Sequence, residues 1–206
     1  MYSAVHKPGS HNWSARGLFE YMLVGKPDNG VSKKVMDIQA HFSAVYGEQG
    51  MVTGNPHIEV AHFFASEAME PTIIKWMQRI IGGQPGFIVT LDNYSGFPPG
   101  TIYLRVQDLQ PFQQMTKKLQ AVDDFIRASD CPPLWINGRP GLCIAGGLPA
   151  QVYDKAMATY ARKVFYASFV LEEFVLLKRG HVLDSHTTVQ VFRLRPADSN
   201  LCCGAA

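Results

Sequence analysis

Apolar runs in this chain are short, and Gly- and Pro-rich clusters cut them apart, so every element that buries a face must be brief. No run approaches the length a membrane helix needs. Runs with strand character alternate with stretches whose apolar residues recur every three or four positions. Strands are expected at 19–25, 57–64, 87–91, 101–106, 142–145, 169–178 and 188–194. Helices are expected at 31–46, 70–81, 112–128 and 150–163, the third with Phe112, Met115, Leu119, Val122 and Ile126 turned inward. The order is β-α-β-α-β-β-α-β-α-β-β, in which strand–helix–strand recurs in both halves and points to two similar lobes.

Composition narrows the class further. With 47% apolar and 17% charged residues among 206, the chain can bury a sizeable core, and disordered or fibrous architectures are excluded. A net charge of +2 gives no bulk attraction to nucleic acid. The dinucleotide and P-loop glycine patterns are absent. Of the cysteines, Cys131 and Cys143 stand alone and Cys202 and Cys203 are adjacent, so no paired zinc motif exists and no metal is expected. The first residues lack an apolar run, so a secretory leader is not expected and the reading is cytoplasmic, with no membrane partner. Residues 1–17 are expected to form a flexible arm, 18–196 one domain and 197–206 a tail.

Five segments occur in order: YMLVGKP from Tyr21, PHIEVAHF from Pro56, YSGFPPGTIYLRV from Tyr94, RPGLCIAGGLP from Arg139, and FVLEEFVLLKRG from Phe169 leading to VQVFRL. Taken together they resemble the 2H phosphoesterase superfamily, the 2′-5′ RNA ligase and cyclic phosphodiesterase-like proteins. The resemblance implies a mixed α/β (α+β) bilobal fold, two small sheets flanked by helices around a central cleft. It also implies one strand per lobe with the pattern His-x-Thr/Ser-x. Alternation on a strand turns histidine and hydroxyl together into the cleft. One histidine serves as general base and the other as general acid on a phosphate ester, with no cofactor.

The motif residues are only partly present. His57 matches the first histidine and is the candidate catalytic residue, but Glu59 stands at the hydroxyl position. In the second motif Gly141 replaces the histidine and Cys143 the hydroxyl residue, and Gly146 stands where an arginine often follows. The apolar partners Ile58, Val60, Leu142 and Ile144 are kept. This pattern reads as a catalytically degenerate member that keeps a ligand- or partner-binding cleft, for a small-molecule or nucleotide-like ligand, or for RNA by family resemblance. Two alternatives remain open: a weakly active RNA or cyclic-nucleotide phosphodiesterase using His57, and new chemistry on His57, Glu59 and Cys143. Whether the chain is an enzyme, and in what oligomeric state, is left open.

Other residues are read more simply. Tyr103 and Arg105 share a strand face and are candidate ligand contacts. His62, five residues after His57, belongs on the opposite face by regular alternation, and Lys178 and Arg179 read as solvated charges. The two glycines are expected to widen the cleft wall, and Glu59 to favour a ligand less anionic than a cyclic phosphate.

Overall fold

The computed structural model describes residues 13–48, 50, 52 and 54–196. Its strands are β1 (Leu18–Gly25), β2 (Ile58–Ser66), β3 (Phe87–Phe97), β4 (Thr101–Val106), β5 (Trp135–Ile136), β6 (Gly141–Ala145), β7 (Tyr166–Leu171), β8 (Glu173–Arg179) and β9 (Thr187–Arg193). The helices are α1 (Asn29–Tyr46), α2 (Glu70–Gly82), α3 (Gln110–Lys118), α4 (Gln120–Ala128) and α5 (Ala150–Tyr160). None is long and apolar enough to cross a membrane among the described residues.

The strands join into a single nine-stranded sheet in the order β7-β3-β4-β6-β2-β1-β8-β9, with β5 added beside β2. The two sheets expected from the sequence are its two halves, β7-β3-β4-β6 and β2-β1-β8-β9. They meet at one antiparallel pair, Ile58 opposite Leu142, both fully buried. That junction is where the two motif strands lie side by side.

One face of the sheet carries Tyr21, Leu23, Ile58, Leu142 and Leu104, none measurably exposed. Helices cover this face in both halves. Tyr21 donates from its hydroxyl to Glu70 at the start of α2, and Tyr94 meets Tyr160 of α5 edge-on at 4.9 Å. Helix α1 begins at a capping aspartate, Asp28, whose carboxylate accepts from the Val31 amide at 2.7 Å. It is tied to β6 by Gln39, which donates to the Cys143 carbonyl at 2.9 Å. The opposite face is left for the motif positions.

Three elements differ from the sequence reading. The helix expected over 112–128 is two helices broken at Leu119, where the amides of Leu119 and Val122 bond three residues back instead of four. Its five inward residues are all buried nonetheless. The strand expected over 169–178 is two strands separated by Glu172: β7 pairs with β3 in one half and β8 with β1 in the other. The third is β5, too short to register as a periodic run. At the N-terminus, Trp13 is buried against Phe64 with ring centroids 5.3 Å apart, so packed structure begins inside the stretch expected to be an arm. Residues 1–12 and the Cys202-Cys203 tail lie outside the described residues.

Candidate functional site

Counting outward from the Ile58–Leu142 pair, the antiparallel register sets His57 beside Cys143 and Glu59 beside Gly141. Alternation sets these four positions away from the helices, on the open face. The ladder continues into β4, where Tyr103 lies opposite Cys143 and Arg105 opposite Gly141. The six positions singled out in the sequence therefore form one patch, and Gly146 borders it just past β6.

His57 is half-buried and its Nδ1 lies 2.9 Å from the Asn55 carbonyl. A carbonyl only accepts, so Nδ1 carries the hydrogen and the neutral ring presents Nε2 as an acceptor. That tautomer suits a general base. Cys143 is also half-buried. Among the described residues, no group of three or more His, Cys, Asp or Glu side chains is placed to hold a metal.

The two glycines behave differently. A Cβ on Gly141 would lie 2.5 Å from Cδ2 of Tyr103 and 2.8 Å from the Leu104 carbonyl oxygen. The Tyr103 ring, only 8% exposed and stacked on Phe97 with centroids 4.8 Å apart, has closed over the glycine. An aromatic diagonal to a strand glycine is well placed to cover it. So the cleft wall is not widened at 141, against expectation; the neighbouring ring fills that space. At Gly146, among the described residues, a Cβ would meet only Cys143 Sγ at 3.6 Å and Thr101 Oγ1 at 4.0 Å, which is ordinary contact.

His62 is a correction. The pairing of β1 with β2 shifts register between Leu23 and Val24: Val24 faces Glu59, but Leu23 faces Ala61. The extra residue, Val60, is a bulge that reverses the alternation beyond it. His62 therefore shares the face of His57 and Glu59. It is buried, and its Nε2 donates to Glu20 Oε1 at 2.7 Å. Arg179 donates from Nε to the other oxygen of Glu20 and from Nη1 to the Val182 carbonyl. Burial pushes the Glu20 carboxyl up, but the bonds and charges of His62 and Arg179 outweigh this and hold it at about 2.

Lys178 and Arg179 are accordingly not solvated charges. The Lys178 side chain is 13% exposed and donates to Glu67 at 2.7 Å and to Glu70 at 2.9 Å on the helix face. His186 also belongs to the polar cluster. Its Nε2 is buried without a hydrogen-bond partner among the described residues, and burial followed by the nearby Arg179 charge pushes its pKa down. No sequence pattern pointed to Glu20 or His186, since each depends on pairing between distant strands.

On the other side of the patch, Arg105 donates to Asp92 at 2.6 Å while its side chain stays 56% exposed. Asp92 lies within an irregularity in β3, between Leu91 and Tyr94, that brings Tyr94 and Ser95 opposite Leu104 and Tyr103.

A family model described as the 2′-5′ RNA ligase superfamily matches residues 28–182. Among solved structures, the chain is similar to apo LigT of E. coli, at 18% identity over 86% of this chain and 98% of that one, with a TM-score of 0.62. It is also similar to TT0787 of Thermus thermophilus, at 17% identity over 86% and 98%, with a TM-score of 0.64. A third similar structure is E. coli LigT complexed with 3′-AMP, at 16% identity over 86% and 99%, with a TM-score of 0.56. No curated protein sequence matches the chain.

Proposed function

From the premise that this chain belongs to the 2′-5′ RNA ligase superfamily, the 2H phosphoesterases, we propose that its open-face groove binds a small, nucleotide-like ligand without performing the two-histidine reaction. The closure of Tyr103 over Gly141 carries this reading: a second motif histidine is absent, and its first side-chain atom would have no room. A lost acid–base partner costs about 10²–10⁴ in rate. Glu59 adds a carboxylate where the family's phosphate would sit, and repulsion between two unit charges about 4 Å apart is about 4 kcal/mol at an effective dielectric of 20.

The ligand class draws support from the LigT structures solved with phosphate, 3′-AMP, ATP and NADP+. The test is hydrolysis of 2′,3′-cyclic nucleotides by the purified protein. The expected result is no turnover that depends on His57. Robust turnover abolished by His57→Ala would overturn the proposal.

A second reading, a weak phosphodiesterase, is favoured by one observation. His57 keeps the anchored tautomer that leaves Nε2 to accept a proton. The same assay separates the two.

A further inference from the structure

Beside the motif positions lies a cavity of about 580 Å³, within the range of small-molecule sites. Asp92, Tyr103, Arg105, Leu109, Arg139 and Pro140 contribute to its wall. Two arginines and one aspartate are the charged residues among the described ones that line it, which leaves the wall net positive.

Arg105 is held in place for a ligand. Asp92 engages one terminal nitrogen at 2.6 Å. The guanidinium has five N–H donors in a fixed plane, so others remain to meet an oxyanion. The rest of the side chain is exposed enough to be reached. Arg139 enters from the segment leading into β6, and Pro140 with Leu109 supplies an apolar wall. A cationic fork beside apolar surface fits an oxyanion carried on a ring.

The position is informative. Arg105 pairs directly with Gly141, and paired residues stand about 4.5–5.5 Å apart on one face. The cation therefore sits one strand over from the place where the motif histidine is missing.

We propose that this cavity is a relocated anion subsite, in which Arg105 and Arg139 bind the phosphate of a ring-bearing phosphate monoester such as a nucleoside monophosphate. This rests on the reading of the groove as a binding site, and it places the negative group away from Glu59. A phosphate monoester carries more negative charge than a cyclic phosphate, so the subsite departs from the expectation of a less anionic ligand; its charge lies on the β4 side of the patch.

Calorimetric titration with 3′-AMP, adenosine and inorganic phosphate tests the subsite. The wild-type protein should bind 3′-AMP at least about tenfold more tightly than adenosine, since bonds to charged groups are the strong ones. Arg105→Gln should weaken 3′-AMP binding by about ten- to a hundred-fold and leave adenosine unchanged. Arg105→Lys, which keeps the charge but loses the fork, should fall between. Lys155→Gln, at an exposed cation of α5 outside the cavity wall, should change 3′-AMP binding by less than about threefold. Thermal unfolding of each variant controls for folding.

Binding of 3′-AMP that ignores Arg105→Gln but is lost in His57→Ala would overturn the subsite. So would equal affinity for adenosine and 3′-AMP, or no binding of 3′-AMP at all. None of these outcomes bears on cyclic-nucleotide turnover, which decides separately whether the groove is catalytic.

Discussion

The central strands β2 and β6 are neighbours, yet their open-face side chains have met opposite fates. On β2 and its approach the polar groups are present and held: His57 by the Asn55 carbonyl, His62 by Glu20, and Glu20 in turn by Arg179. On β6 they are reduced to Gly141 and Cys143, and a ring from the next strand has moved in. The difference teaches that a vacated site position does not leave a hole. Interiors are close-packed, and a void forfeits contacts on every wall. Where an aromatic lies within reach the space closes, as at Gly141; at Gly146 no described aromatic reaches the position.

The comparison can be tested from its strongest side first. Glu20→Ala would leave Arg179 and His62 partly buried without their shared carboxylate, and the expected loss of stability is about 3–5 kcal/mol. Urea unfolding measures it, and a loss under about 1 kcal/mol would mean that the polar groups of the β2 half are incidental to the fold.

Acid titration probes the same carboxylate with a smaller effect. Its folded pKa, about 2, lies below the ordinary 4.5. The folded state therefore binds fewer protons, and the stability Glu20 contributes is fully present above pH 4.5 and lost as the pH falls toward 2. Stability of Glu20→Gln should be flatter across that window. Equal slopes for the two proteins would refute the assignment.

Gly141→His comes next. Its Cβ meets both the Tyr103 ring and a backbone oxygen, and overpacking of this kind costs about 1–3 kcal/mol. Adding Tyr103→Ala should recover part of the loss, a non-additivity expected of residues in contact. A single variant as stable as the wild type would show that the closure at 141 is soft.

The smallest effect belongs to Gly146→Ala, expected within about 0.5 kcal/mol of the wild type by thermal unfolding. A loss matching that of Gly141→His would erase the contrast between the two glycines.

The fold was legible because its short runs obey their periods. The five inward residues of 112–128 are buried even though the helix breaks at Leu119. The placement of the motif positions on one face was legible too, since alternation is a local property. What stayed hidden depends on pairing. The bulge at Val60 is visible only against β1, and it turns His62 to the site face. The covering of Gly141 depends on a strand about forty positions away, and Glu20, Arg179 and His186 come together from strands and a loop distant in sequence. The division of 169–178 had a local trace: two glutamates, Glu172 and Glu173, interrupt an otherwise apolar run.

That interruption has a mechanical consequence. Glu172 alone joins β7, at one edge of the sheet, to β8 near the other, with five strands between them in the sheet order. The sheet must therefore curl until its two halves touch at this end, where Leu171 lies against Gly25 and the Leu194 amide bonds the Glu172 carbonyl at 2.8 Å. Arg195 fastens the same seam, donating to the Gln84 carbonyl and accepting from the Gly86 amide, each at 2.8 Å. A one-residue link bonded on both sides gives no hinge, so the halves cannot swing as jaws. A ligand of the proposed groove would lose no affinity to a jaw-closing equilibrium. Its association should be a single kinetic step, with a rate that rises linearly with ligand concentration.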